Sequence, residues 1–162
     1  MPGGMAGAWN GRHVQLQGLR QRAPLPSDPG TARRVKRVLV AEDEPDIADA
    51  LRQALTERLD VETDVVANGA LVMDSVIAHR PDLLILDVAL PGLNGLDVFD
   101  LLRSDPRLSG LPILFLTGLP ERAETASAAT GVHEVLAKPF DIDDLIVRVR
   151  RLMDGVKTPV AA

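Results

Sequence analysis

Five side chains in this sequence could do chemistry together if the fold brought them to one place: Glu42, Asp43, Asp87, Thr117 and Lys138. Each follows or closes a run of apolar residues. Glu42-Asp43-Glu44 follows Val38-Leu39-Val40-Ala41, Asp87 follows Leu83-Leu84-Ile85-Leu86, Thr117 closes Ile113-Leu114-Phe115-Leu116, and Lys138 follows the stretch from Val132 to Ala137. An apolar run without alternation reads as a strand covered on both faces, as in a parallel sheet, and such sheets bind ligands just beyond the carboxyl ends of their strands. Carboxylates gathered in one crevice need a cation, and an all-oxygen site with few protein ligands suits Mg²⁺ better than a caged Ca²⁺. A carboxylate is also a nucleophile toward phosphoryl groups. The acyl phosphate it forms needs a metal, an ammonium and a hydrogen-bond donor around its equatorial oxygens. On this reading Asp43, Asp87 and the backbone carbonyl of Ala89 hold the metal, Lys138 pairs with the phosphoryl group and Thr117 donates its hydroxyl to it. Taken singly, each residue has a plainer explanation. The acids at 42–44 favour the positive end of the next helix, Thr117 is a strand-end residue, and Lys138 before proline is a surface lysine. Four strand ends supplying acid, acid, hydroxyl and ammonium to one edge outweigh those separate readings.

The elements that must position these residues follow from periodicity. Val35 to Ala41 reads as the first strand. Pro45 suits the first turn of a helix, whose Ile47, Leu51, Leu55 and Leu59 form a stripe at four-residue spacing. Val61 to Ala67 is a second strand, polar enough for a sheet edge. Asn68-Gly69 turns it into a helix of Leu71, Val72, Met73, Val76 and Ile77, stopped by Arg80-Pro81-Asp82. The strand to Asp87 is closed by Pro91-Gly92, and Asn94-Gly95 leads into a helix of Leu96, Val98, Phe99, Leu101 and Leu102 that ends at Ser104-Asp105-Pro106. After the strand to Thr117, a helix from about Glu121 to Ala129 is thin in large apolar residues and is expected to be the least firmly anchored element. Asp141 caps a last helix carrying Ile142, Leu145, Ile146, Val149 and Leu152. Five strands alternating with five helices predict an α/β fold with a doubly wound, five-stranded parallel sheet, flavodoxin-like in strand order 2-1-3-4-5. In that order the first and third strands flank the switch point where ligands bind.

Length and composition bound the function. With 162 residues there is room for one domain, 35–154, between an N-terminal extension over 1–34 expected to be flexible and a tail over 155–162. Arginines 12, 20, 22, 33 and 34 of that extension, with Met5 as a second candidate start, are assigned no chemistry. A formal charge of −5 and the lack of a basic stripe in the folded part argue against direct nucleic-acid or membrane contact. Cysteine is absent, so disulfides and thiolate metal sites are excluded, and His13, His79 and His133 are too scattered for a zinc set. No apolar run approaches a membrane span and the start lacks a signal-peptide core, which makes the cytoplasm the expected location. Aromatic residues number four (Trp9, Phe99, Phe115 and Phe140), a supply that disfavours base stacking and flavin binding.

In this order and spacing, Val38 to Pro45, Leu83 to Gly92 with Asn94-Gly95, Leu114 to Gly118, and Gly131 to Phe140 resemble the receiver domain of two-component response regulators, over about Val35 to Met153. The resemblance implies that Asp87 accepts a phosphoryl group from a phosphohistidine on a sensor histidine kinase or histidine phosphotransfer protein, with Mg²⁺ required. It implies that Asp43 is a direct metal ligand and Glu42 acts through water, that Thr117 is the switch hydroxyl, that Lys138 contacts the phosphate, and that Lys138-Pro139 is cis. A chain of this kind is a signalling domain limited to self-phosphotransfer and slow autodephosphorylation, acting through a downstream protein target, with pairing of two copies left open. The sequence departs from the family in having Val135 where Tyr or Phe commonly stands three residues before the lysine. No output domain is expected after the last helix, so a signal is expected to leave through a surface. One alternative is a degenerate receiver that binds partners without phosphorylation. Another is an aspartyl-phosphate phosphatase of the haloacid dehalogenase kind, but that chemistry needs an acid two residues after the nucleophile, where Ala89 stands.

Overall fold

The computed structural model describes residues 34–127 and 133–155. Apart from Arg34 and Gly155, the expected extension and tail lie outside those residues, as do Trp9, His13, Gly131, Val132 and the expected end of the thin helix at Ala128 and Ala129. Five parallel strands form one sheet: β1 (Lys36–Ala41), β2 (Val61–Val66), β3 (Leu83–Leu86), β4 (Ile113–Thr117) and β5 (His133–Ala137). Their order across the sheet is β2-β1-β3-β4-β5, which is the flavodoxin-like order. β2 lies at an edge, where a strand with one buried residue, Val61, can be accommodated. Among the described residues, five α-helices alternate with the strands: α1 (Pro45–Arg58), α2 (Val72–His79), α3 (Gly95–Ser104), α4 (Pro120–Ser127) and α5 (Ile142–Met153).

Because side chains alternate along a strand, the central strands feed two cores. Val38, Val40, Leu83, Ile85, Leu114 and Leu116 face one side and pack with Leu51 and Leu55 of α1 and Leu145, Val149 and Leu152 of α5. Leu39, Ala41, Leu84, Leu86, Ile113 and Phe115 face the other and pack with Val72 and Val76 of α2, Val98, Phe99 and Leu102 of α3, and Ala123 of α4. Phe99 and Phe115 meet at 5.3 Å between ring centroids. Residues 83–86 are all fully buried, as an apolar strand covered on both faces requires.

Where the elements begin and end is set by local chemistry. Asn94 accepts from the Leu96 and Asp97 N–H groups and so starts α3 at Gly95, while Asp141 accepts from Asp143 and Asp144 and starts α5. Asn68 holds a single 3₁₀ turn, Gly69–Leu71, ahead of α2. This shortens the buried stripe expected for α2. Val72 and Val76 form its inward ridge, and Leu71 and Ile77 are each 54 % exposed because they lie off that ridge. Arg80 ends α2 in the left-handed region at φ 46°, with its N–H on Val76 O, since Pro81 forbids a helical continuation. In α4 the residues fully buried are Ala123 and Ser127, so little apolar surface anchors it. Lys138-Pro139 is cis.

Removing the Leu84 side chain between α2 and α3 should cost about 2–5 kcal/mol. Gly110, where an added methyl meets nothing within 4 Å, should tolerate alanine within about 0.5 kcal/mol. Urea denaturation midpoints of Leu84→Ala and Gly110→Ala check both expectations.

Candidate functional site

The ladder of the sheet continues one residue past the strands and thereby positions the polar side chains. Asp87 N–H donates to Ala41 O at 3.0 Å, Glu42 N–H to Val66 O at 3.0 Å, and Lys138 N–H to Thr117 O at 2.8 Å. Glu42 and Asp87 therefore leave neighbouring strands at the same level, and Lys138 reaches in from the far side of β4. Its ammonium bridges the two acids, at 2.8 Å from Glu42 Oε2 and 3.0 Å from Asp87 Oδ2. Glu44 Oε1 is 4.0 Å from the same nitrogen but lies in solvent. The second oxygens are also bound: Asp87 Oδ1 accepts from Ala89 N–H at 3.0 Å and Glu42 Oε1 from Glu44 N–H at 3.2 Å.

Asp43 stands beside this pair and is exposed. Carboxylate oxygens of Glu42, Asp43 and Asp87 all lie within 4.8 Å of one another. Three acids face one ammonium, and two of them are buried. Burial is the largest influence on Glu42 and pushes its carboxyl above the usual range; hydrogen bonds from Lys138 and the Glu44 N–H oppose it, and the negative Asp87 adds to it. Burial is also the largest single influence on Lys138 and would lower its pKa, but its hydrogen bonds to Glu42 and Asp87 and their charges outweigh it, so the pKa is raised. The ammonium stays charged, yet two negative charges remain uncompensated at full ionisation. An all-oxygen donor set with excess negative charge and one exposed member open to water fits a hard divalent cation of the Mg²⁺ type.

Thr117 is fully buried at the end of β4, and its Oγ1 accepts from Leu119 N–H at 3.0 Å. The structure thus brings Glu42, Asp43, Asp87 and Lys138 into one group, with Ala89 joined through its N–H, and sets Thr117 on the adjacent strand with its hydroxyl engaged to its own loop. His79 closes α2 near Asp64 and His133 opens β5 against the edge of Phe99; neither joins the acids. A cleft of about 590 Å³ lies elsewhere, between Ile77, Arg80, Leu108 and Pro112 beside the starts of β3 and β4.

Three glycines around the site carry more than the turns the sequence suggests. A Cβ at Gly95 would stand 2.9 Å from the carbonyl carbon of Asp87, one at Gly69 would stand 2.6 Å from that of Leu93, and one at Gly92 would stand 2.8 Å from Asn68 Cγ. These contacts join segments distant in sequence, so the residues signal a turn but not the surface it must fit.

The family model of the response regulator receiver domain matches residues 38–150. The DNA-binding response regulator MtrA of Mycolicibacterium smegmatis is 36 % identical over 116 residues, which is 71 % of this chain and 49 % of that protein. The chain spans about half the length of the curated relatives it matches. Among solved structures, a putative response regulator from Chloroflexus aurantiacus superposes with a TM-score of 0.68 at 30 % identity, covering 75 % of this chain and 99 % of that one. The response regulator TrrA of Thermotoga maritima, crystallised in complex with Mg²⁺ and BeF, gives a TM-score of 0.64 at 33 % identity, covering 73 % and 99 %. Among the described residues, no helix is long and apolar enough to cross a membrane.

The charge imbalance makes a direct expectation. Mg²⁺ at a hundred times its Kd should stabilise the folded protein by about 2.7 kcal/mol through linkage. Asp43→Asn should melt at a higher temperature than wild type in EDTA, because one repulsive charge is gone, and should lose the Mg²⁺-induced rise. Thermal melts of both proteins with EDTA and with MgCl₂ measure the two effects.

Proposed function

The chain belongs to the response regulator receiver domain family, and on that premise we propose that Asp87 accepts a phosphoryl group from a phosphohistidine of a sensor histidine kinase or histidine phosphotransfer protein. The observation that carries this reading is Asp87 itself: a buried carboxylate at the end of the central strand, held by an ammonium and a backbone N–H and within one cluster with two further acids. One Asp87 oxygen attacks phosphorus, the nitrogen–phosphorus bond of the donor breaks, and the leaving imidazole keeps the electron pair and takes up a proton. Mg²⁺, when bound, neutralises charge on the transferring oxygens. Asp43, Asp87 and the Ala89 carbonyl are its proposed ligands, with Glu42 acting through water. Lys138, already 3.0 Å from the acceptor carboxylate, is suited to pair with a phosphoryl oxygen there. The Thr117 hydroxyl uses a lone pair for Leu119 N–H, which leaves its proton for the phosphoryl group.

We take 35–154 as the receiver unit, slightly wider than the matched segment, since β1 begins at Lys36 and α5 ends at Met153. Its output is phosphorylation-dependent binding to a downstream protein in the cytoplasm. With Val135 partly buried against the α3 side of the sheet, no ring at that position follows the hydroxyl, and the change passes through the Thr117–Leu119 loop and the lightly anchored α4.

With MgCl₂ and acetyl phosphate, intact mass should show one acid-labile phosphoryl adduct, absent in EDTA and in Asp87→Ala. Lys138→Ala should slow its appearance by about 10²-fold, the scale of losing one charge-stabilising donor. Wild-type protein that gains no adduct would be a receiver working without phosphorylation.

A further inference from the structure

Two loops far apart in sequence are built into each other beside Asp87. The Gly69 N–H donates to Pro91 O at 2.9 Å. Gly69 is buried, and any Cβ there would run into the Leu93 backbone. Gly92 sits at φ +80° with Asn68 against it, and Asn68 Oδ1 accepts from Ala70 N–H at 2.8 Å, which holds the 3₁₀ turn in shape. The segment between Asp87 and Gly95 is therefore fixed at three places. Ala89 N–H is on Asp87 Oδ1, Pro91 to Leu93 rest on Asn68-Gly69, and Gly95 N–H is on Val88 O at 2.8 Å, where an added Cβ would strike the Asp87 carbonyl.

We propose that Asn68 and Gly69, supplied by the loop after the edge strand, are positioning residues for the phosphoryl-acceptor site. By fixing the path from Ala89 to Leu93 they set how the main chain beside Asp87 faces the cation and the incoming group. The proposal rests on the reading of Asp87 as a Mg²⁺-dependent acceptor. The contacts at Gly69 are backbone against backbone, so a methyl group there has no flexible side-chain end to push aside and must displace the acceptor loop. Coupling of this kind is reciprocal: occupation of the site must in turn alter the loop at 68–70.

The test is calorimetric titration with MgCl₂, together with the acetyl phosphate reaction followed by intact mass, on the folded 162-residue chain. Gly69→Ala should weaken Mg²⁺ binding by about tenfold or more, the range found when groups that orient a metal ligand are lost, and should slow phosphorylation. Asn68→Ala should act in the same direction, and Asn68→Ser, which keeps a capping oxygen, should recover most of the loss. Leu84→Ala and Gly110→Ala are controls for stability alone and should keep wild-type Mg²⁺ affinity at temperatures where they are folded. In wild type, the Gly69 and Ala70 amide resonances should shift as Mg²⁺ saturates the site, a readout that holds even if Gly69→Ala does not fold. Wild-type affinity and rate in Gly69→Ala, or unmoved Gly69 and Ala70 amides at saturation, would overturn the inference alone. A wild-type protein that takes up neither Mg²⁺ nor a phosphoryl group would remove the acceptor reading and this inference with it.

Discussion

One ammonium between two buried carboxylates governs this molecule. Lys138 Nζ lies within 3.0 Å of both Glu42 and Asp87, and without it two acids would leave adjacent strands side by side with no cation between them. A desolvated carboxylate is tolerated when it is paired and hydrogen-bonded. Here each of the two buried acids has one oxygen on Lys138 and the other on a backbone N–H. The arrangement is satisfied but unbalanced, because Asp43 brings a third negative charge into the same cluster. Such a group can be stored at a sheet end only if the strands that deliver it are firmly held. β1 and β3, which carry the acids, are held from both sides by the two cores, and β5, which carries Lys138, has Leu136 in one core and the partly buried Val135 against the other.

The same frame decides which parts of the site can move. Glu42, Asp87 and Lys138 each carry a main-chain bond that extends the sheet ladder, so their Cα positions are tied to the register of the sheet. The Thr117 hydroxyl and the residues after it are tied less. Their loop is held by the Leu119 N–H bond, and α4 behind it buries Ala123 and Ser127, neither with much apolar area. A perturbation at Asp87 meets least resistance on that side, since local opening costs least where few apolar contacts are lost.

The sheet was legible in the sequence because its signal is local: β1, β3 and β4 carry continuous apolar runs ending at polar residues, the more polar β2 and β5 fall at the edges, and stripes at helical spacing separate them. That Glu42, Asp43, Asp87 and Lys138 would meet was legible for a related reason, since Glu42, Asp87 and Lys138 are each the first polar residue after a strand and Asp43 follows Glu42 directly. What local pattern could not supply was pairing across the chain. Asn68-Gly69 and Pro91-Gly92 each read as a turn, and nothing in either stretch indicates that one packs into the other. The outward turn of Leu71 and Ile77 escaped for a related reason. A helix of eight residues buries one ridge, and only the packed sheet decides which apolar residues fall on it. Glu134, a buried acid on the edge strand β5 held by Arg148 and Arg151 of α5, likewise depends on partners fourteen or more positions away, as its spacing from them shows.

The choice of Glu rather than Asp at position 42 bears on how the acids divide their work. The extra methylene carries Oε2 to Lys138 while Oε1 remains on the Glu44 N–H, so both oxygens of the longer side chain are committed within the protein. Asp87 is equally committed, to Lys138 and to Ala89 N–H. Asp43 is the exposed member of the three, with no side-chain hydrogen bond or ion pair among the described residues. A cation drawn from water would therefore engage Asp43 at no cost in broken protein bonds, whereas each oxygen of Glu42 and Asp87 would have to share, or give up, the Lys138 ammonium or a backbone N–H. The three acids thus differ in what a ligand would cost them: Asp43 is open to water, and the two buried carboxylates are closed by the same lysine.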